Sequence, residues 1–236
     1  MIPKVIHYCW FGGKPLPRDV EKCIKSWKKF CPDYEIKRWD ESNFDVAQHP
    51  FCKAAYEAKV WAFVSDYARL KAVYDEGGIY LDTDVELLRS PDFLLEYEGF
   101  LATDQIAGNV ATGLGFGAEK GNRVIEKMLG IYDEVIFDPE NRAPISCPVL
   151  NTRVLKELGY EFSREIRTVE GVAILPPCYC DPISPGDTED LLCDKTLSIH
   201  HYSASWTSAS NLFKRKLIRL IGQKRINALK KLLRRR

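Results

Sequence analysis

Two aspartates one residue apart close the run Gly77-Gly78-Ile79-Tyr80-Leu81-Asp82-Thr83-Asp84. An apolar strand that ends in two carboxylates needs a cation to relieve their repulsion. A divalent metal that holds a diphosphate supplies one, since Mg²⁺ or Mn²⁺ takes few protein carboxylates and fills its remaining positions with phosphate oxygens. One acid then ligates the metal directly, and the other acts through water or holds a ribose. Asp-x-Asp alone occurs in many surface turns; its place after a buried strand and a Gly-Gly break makes it specific.

Asp66 and Arg69 lie three apart on a helix-like segment just upstream and share one face of it. As an exposed pair they would contribute only a few tenths of a kcal/mol. Their neighbours Ala62, Phe63, Ala68 and Leu70 are apolar and imply a partly buried face, where a guanidinium fork suits phosphate or carboxylate. Trp10 follows a strand-like run and precedes Gly12 and Gly13. It is either a core residue or an open face for a flat base, with the two glycines letting backbone approach a nucleotide. Near the other end stands His200-His201-Tyr202-Ser203-Ala204-Ser205-Trp206. Adjacent histidines in a strand point to opposite faces, so one of them reaches any metal or phosphate site.

The elements that must position these groups alternate. A strand over Pro3–Phe11, a helix from about Asp19 to Phe30 and a strand over Tyr34–Trp39 form a right-handed β-α-β unit. A long helix from about Ala54 to Glu76 leads to strands at Ile79–Leu81 and Val85–Leu88. Further strands are expected at Phe100–Ala102, Gly113–Gly117, Ala173–Leu175 and Leu197–His200, and helices at Asn122–Phe137 and Val149–Leu158. The stretch Pro176–Asp190 is a long loop. The fold class is therefore α/β, a Rossmann-like, mostly parallel central sheet flanked by helices. Ligands of such sheets bind beyond the carboxyl ends of strands, where Trp10 and Asp82 both fall.

With 236 residues and 45% hydrophobic composition, the chain suits one domain over 1–210 and a short appendage over 211–236. The appendage holds eleven Lys and Arg and no acid, which leaves 23 basic residues against 33 acidic ones in the body. Phe213, Leu217, Leu220 and Ile221, then Ile226, Leu229 and Leu233, give it helical apolar spacing. A basic amphipathic helix on an anionic membrane face is expected. Nucleic acid is not, because the body is acidic and no aromatics interleave the basic run. The eight cysteines contain no Cys-x-x-Cys pair, and Cys178 and Cys180 are too close for an ordinary disulfide or a zinc knuckle. Free thiols, no eighteen-residue apolar run and no signal-peptide layout at Met1-Ile2-Pro3-Lys4-Val5 give a cytoplasmic expectation, peripheral on the inner face of the plasma membrane.

Four blocks in order carry a resemblance: Ile2 through Gly13, Ser65-Asp66-Tyr67-Ala68-Arg69, Tyr74 through Asp84, and His201-Tyr202-x-x-x-Trp206. They resemble glycosyltransferase family 32, the sugar-binding Asp-x-Asp transferases that include yeast Golgi mannosyltransferases and bacterial capsule and lipopolysaccharide enzymes, with large clostridial toxin catalytic domains as distant relatives. The close match covers about residues 1–90. The resemblance implies a GT-A fold and a retaining, Mn²⁺- or Mg²⁺-dependent transfer from a nucleotide sugar, UDP-linked by family frequency, to a glycan or lipid-linked acceptor in surface polysaccharide synthesis. By position, Trp10 would stack on the base. Asp66 and Arg69 would contact ribose, sugar and phosphates. Asp82 would lie near ribose, sugar and metal, and Asp84 and His201 would ligate the metal. Trp206 would close over the diphosphate. Gly12, Gly13 and Tyr80 fall inside the matching blocks as donor-site residues, and Asp104 and Asn109 are candidate sugar contacts. A nucleotide-sugar hydrolase and a non-catalytic membrane-associated module are the competing readings.

Overall fold

The computed structural model describes residues 1–185 and 188–203. Trp206 and the basic segment 211–236 lie outside them, as does the boundary expected at residue 210.

The first unit is as expected. Strand β1 (Val5–Cys9), helix α1 (Arg18–Phe30) and strand β2 (Glu35–Trp39) follow one another, with β1 and β2 parallel from Val5 opposite Glu35 to Cys9 opposite Trp39. Helix α1 buries Val20, Cys23 and Trp27, the stripe its spacing predicts. Asp19 and Glu21 lie in its first turn and Lys28 and Lys29 in its last, each sign matched to the helix dipole.

The long second helix is two helices, α2 (Pro50–Glu57) and α3 (Trp61–Glu76). Lys59 between them adopts φ 56°, a left-handed conformation that no continuous helix accommodates. The break leaves α3 free to lay Asp66 and Arg69 against the sheet. Gly77 and Gly78 then turn the chain into strand β3 (Gly78–Tyr80), and here the glycines are obligatory. Gly78 has φ 112°, and a Cβ on it would lie 2.8 Å from both His7 Nε2 and the Val5 carbonyl oxygen. His7 is fully buried, with Nε2 2.7 Å from the Gly77 oxygen and Nδ1 accepting from Trp39 Nε1 at 3.0 Å. Burial lowers its pKa, so a neutral imidazole pins β1, β2 and the Gly-Gly turn together.

Strands β4 (Val85–Leu87), β5 (Gly99–Ala102), β6 (Phe116–Ala118), β7 (Arg167–Val169), β8 (Val172–Leu175) and β9 (Ser198–His200) follow, with helices α4 (Arg123–Gly130), α5 (Cys147–Glu157) and the short α6 (Pro177–Cys180). The main sheet runs β2-β1-β3-β6-β5-β8-β7. Only β6 and β7 run against the direction of the other five, since β3–β6, β5–β6 and β7–β8 are the antiparallel pairings. Its mostly parallel character, with helices on both faces, is thus the expected α/β arrangement. Three local expectations change. Gly113 lies in a one-turn 3-10 segment (Thr112–Leu114) rather than a strand, α4 stops at Gly130, and α6 occupies part of the stretch read as loop.

The side chains alternate across the sheet as the pleat requires. Ile6, Tyr8, Ile79, Leu81, Phe100 and Leu175 enter the core beside α1, whereas Tyr80, Leu101, Phe116 and Ile174 enter the core beside α2–α5. Tyr80 therefore faces the layer that holds Arg69. A separate two-stranded sheet joins β4 to β9 antiparallel, with Val85 opposite His200 and Leu87 opposite Ser198. Trp27 Nε1 donates to the Val85 carbonyl at 2.8 Å and ties this seam to α1.

Candidate active site

The i, i+3 spacing on α3 puts Asp66 and Arg69 in contact, and burial makes the contact consequential. Their side chains are 10% and 5% exposed. Arg69 Nη2 lies 3.0 Å from Asp66 Oδ1 and 3.2 Å from Asp82 Oδ1. Tyr80 donates its hydroxyl to the same Asp82 oxygen at 3.0 Å, and its ring lies 5.0 Å from the guanidinium carbon. Arg69 Nε donates to the Ser65 carbonyl at 3.1 Å, so the guanidinium is fixed from two sides. One guanidinium serves the buried Asp66 carboxylate and the half-buried Asp82 carboxylate. Burial pushes the Asp66 carboxyl up to about 6; Arg69 opposes that rise, Asp82 adds to it, and the Cys147 amide at the start of α5 again opposes it. Asp82 is raised for the same first reason, burial, with Arg69 opposing and Asp84 adding.

Asp84 sits differently. Its Oδ1 lies 3.0 Å from His200 Nε2, and its Oδ2 accepts from the Ser203 amide at 2.7 Å. Its carbonyl accepts from the His201 amide at 2.9 Å. Burial works against ionisation, but His200 and the Ser203 amide outweigh it and hold the carboxyl well below the usual range. His200 is raised in turn: burial opposes its charge, while Asp84, Asp82 and Asp181 favour it.

Asp82, Asp84 and His200 each bring one donor atom within 4.8 Å of the others. Two carboxylates and an imidazole suit Mn²⁺ or a like divalent ion. His200 Nδ1 is buried and makes no hydrogen bond. The imidazole is therefore held through Nε2 alone, a fit for a ring shared between a carboxylate and a cation. The histidine expected among these donors was His201, and the structure puts His200 there instead. Strand parity selects one histidine, and the register of β9 on β4 decides which. His201 falls past the end of β9, and its Nε2 lies 2.7 Å from Glu86 Oε2.

Trp10 stands one residue beyond β1, on the carboxyl edge shared with β3. With His7 opposite Tyr80 in the parallel register, Cys9 comes level with Asp82. The Trp10 ring is half-buried, and its Nε1 donates to the Lys14 carbonyl at 2.6 Å. Gly12 has φ 91° and packs under Trp61: a Cβ there would lie 2.7 Å from that ring, and its amide donates to Glu41 Oε1 at 2.7 Å. Gly13, at φ 66°, faces open space. Asp104 and Asn109 lie on the loop after β5. Asp104 caps its own turn by accepting from the Ala107 amide at 2.7 Å, and its amide donates to the Asn109 carbonyl at 2.8 Å.

Three groups at the site escaped the sequence reading. Gly113 abuts the acidic centre, since a Cβ on it would lie 2.5 Å from Asp82 Oδ2 and 3.1 Å from Arg69 Nη1; the clustered glycines 113, 115 and 117 were its only signal. Thr112, Cys147 and Asn151 form a buried polar knot beside Arg69, with Asn151 Nδ2 donating to Thr112 Oγ1 at 3.2 Å and to Cys147 Sγ at 3.1 Å. Tyr202, at φ 48°, donates to the fully buried Asp181 at 2.8 Å and its ring meets His200 edge-on at 4.2 Å. Nothing in the local sequence marks Asn151 or Asp181.

Residues 17–101 match the family described as glycosyltransferase sugar-binding region containing DXD motif. Over these residues the chain is similar to the DXD glycosyltransferases. The matched stretch runs from α1 into β5 and contains Asp66, Arg69, Asp82 and Asp84. The chain is similar to inositol phosphoceramide mannosyltransferase 3 of Schizosaccharomyces pombe, 33% identical over 119 residues, which cover 49% of this chain and 33% of that one. The chain thus spans a third of that relative's length. It is also similar to an uncharacterized glycosyltransferase of Acanthamoeba polyphaga mimivirus, 23% identical over 226 residues, covering 91% and 87%. Among solved structures, the PaToxG glycosyltransferase superposes with a TM-score of 0.53 at 19% identity over 66% of this chain and 68% of that chain. Over that part the chain shares its fold with that protein.

Proposed function

We propose that this protein is a metal-dependent glycosyltransferase that moves a sugar, with retention of anomeric configuration, from a UDP-sugar to a glycan or lipid-linked acceptor. The observation that carries the reading is the convergence of Asp82, Asp84 and His200 donor atoms beside the Asp66–Arg69 pair. Asp82, Asp84 and His200 would hold the divalent ion, and Mn²⁺ or Mg²⁺ bound there would offset the charge of the departing nucleoside diphosphate.

The chain's own groups do the positioning. Arg69 is locked between Asp66, Asp82 and the Ser65 carbonyl, so its charge is aimed without reorganisation. Tyr80 fixes the Asp82 carboxylate by donating to Oδ1. Among the described residues, the carboxylates at the site are already committed: Asp66 and Asp82 to Arg69, Asp84 to His200, and Asp181 to Tyr202, Ser184 and the Gln105 amide. That commitment favours front-face substitution over a covalent glycosyl intermediate. The anomeric carbon–oxygen bond to the diphosphate breaks, the bond to the acceptor oxygen forms on the same face, and the acceptor proton passes to the departing phosphate oxygen. Catalysis then rests on orientation and charge.

We place this activity in surface polysaccharide synthesis at the inner face of the plasma membrane, with the basic segment 211–236 drawn to anionic lipid. No helix among the described residues is long and apolar enough to cross a membrane.

Calorimetry with Mn²⁺ and UDP-hexoses tests the reading. The wild type should bind donor only with the metal. His200→Ala should weaken Mn²⁺ binding by about 10–100-fold or more, since loss of even an outer-shell partner costs that much, and His201→Ala should change it far less. Donor binding indifferent to metal would refute the proposal. Sugar release that no acceptor redirects would indicate a hydrolase.

A further inference from the structure

A cleft of about 440 Å³ opens between the loop after β5 and the carboxyl end of α5, with its following turn as the outer wall. Gly108, Asn109, Thr152, Lys156, Glu161 and Phe162 line it.

Phe162 is its most telling residue. The residue is 49% exposed, one of eight large apolar residues that the described surface leaves open. It is nonetheless fixed. Gly108, at φ 66°, has no side chain, and a Cβ there would lie 2.6 Å from Phe162 Cδ2 and 2.8 Å from Cγ. One side of the ring therefore rests on bare backbone. Tyr160 holds that backbone by donating to the Gly108 carbonyl at 2.6 Å. An aromatic surface ordered before binding loses little conformational freedom when a ligand arrives. Around it stand groups suited to hydroxyls. Thr152 Oγ1 accepts from the Val110 amide at 2.9 Å and keeps its own hydrogen to donate. Asn109, Lys156 and Glu161 add donors and acceptors of both signs. Glu161 argues against a phosphate as occupant.

Two short paths join the cleft to the acidic centre. Asn109 is four residues from Gly113, which places their Cα atoms at most about 14 Å apart, and Gly113 touches the Asp82 carboxylate. From the other wall, Thr152 follows Asn151, which bonds Cys147, whose sulfur lies 4.0 Å from Arg69 Nη1.

We propose that this cleft is a saccharide-binding subsite that seats the apolar face of an acceptor sugar on Phe162 and its hydroxyls on Asn109, Thr152, Lys156 and Glu161. Its role as the acceptor site rests on the glycosyltransferase reading above; its affinity for sugar does not.

Saturation-transfer NMR on the full chain, with methyl α-mannoside, methyl α-glucoside and methyl β-galactoside as probes, tests it alongside calorimetry with UDP-hexoses and Mn²⁺. At least one glycoside should receive saturation from the wild type. Phe162→Ala should weaken that binding by about tenfold or more, as loss of a central aromatic anchor does, and leave donor binding unchanged. Lys156→Ala, on the exposed face of α5, should weaken it less and leaves the fold intact if Phe162→Ala does not. No saturation of any glycoside, or wild-type binding by both variants, overturns the cleft proposal while donor binding stands. Glycoside binding in a protein that takes no UDP-hexose with any divalent ion would instead retain the cleft and sink the glycosyltransferase reading.

Discussion

Asp82 and Asp84 are one residue apart and chemically identical, yet their surroundings drive their proton affinities in opposite directions. Asp82 belongs to a crowded acidic cluster, where it shares the Arg69 guanidinium with the buried Asp66, and it is raised. Asp84 belongs to the β4–β9 seam, where an imidazole and a backbone amide both favour its charge, and it is lowered. Neighbours, not residue type, divide the labour: the first cluster holds a fixed positive charge in place, and the second keeps an anion permanently available. The resemblance to a sugar-binding motif does not convey this division, because it lies in contacts made by residues far away in the chain.

The contrast can be broken at its anionic end first. Asp84→Ala should lower turnover by about 10³-fold or more, the scale of losing a preorganised electrostatic group, as measured by UDP release. The Ser203 amide and His200 also lose their partner, so apo stability should fall by about 1–3 kcal/mol in urea titration. A larger fall would make Asp84 mainly structural. At the other end, Arg69→Met strands Asp66 in the interior and leaves the half-buried Asp82 without its cation. Stability should drop by about 3–5 kcal/mol, and the drop should shrink at pH 4–5, where both acids can take up protons. A uniform loss at every pH would mean the guanidinium matters for packing rather than charge.

Gly113→Ala sharpens the comparison. The added methyl collides with Asp82 Oδ2 and leaves Asp84 alone. Turnover should fall by about 10²-fold, the effect of a 1 Å misplacement, and Mn²⁺ affinity should fall with it, since Asp82 is one of the three proposed ligands. The smallest effect is a pH profile. Asp66 rises from 3.8 to about 6 on folding, so its contribution to stability is complete below pH 3.8 and fades as pH climbs through 6. Asp66→Asn removes that term. Its stability relative to wild type should improve between pH 4 and 7 by on the order of 1–3 kcal/mol, and urea denaturation at the two pH values would show it.

Sequence carried the local parts of this molecule well. The i, i+3 pair on α3, the Gly-Gly turn and the strand that ends in Asp82 are set by spacing and by glycine's conformational reach, and all three are present. The α2–α3 break was hidden because nothing but one left-handed lysine marks it. The choice between His200 and His201 was hidden for a deeper reason. Alternation states that only one of them can join the acids, but the register on β4 is a pairing between segments more than a hundred residues apart. Asn151, Asp181 and Gly113 were silent likewise, since each acquires meaning only through a partner that folding brings near. Trp206 and the basic segment fall beyond the described residues.

The seam between β4 and β9 has a mechanical corollary. Asp84 and Ser203 meet across 119 positions of chain, so an ion gripped by Asp82, Asp84 and His200 would act as a clasp that closes nearly half the polypeptide into a ring. Ring closures of that length remove much of the freedom of an unravelled chain. Chelation would then loosen the terminal strand and the catalytic pocket in a single event, and cargo loading would be felt as a tightening of the whole scaffold.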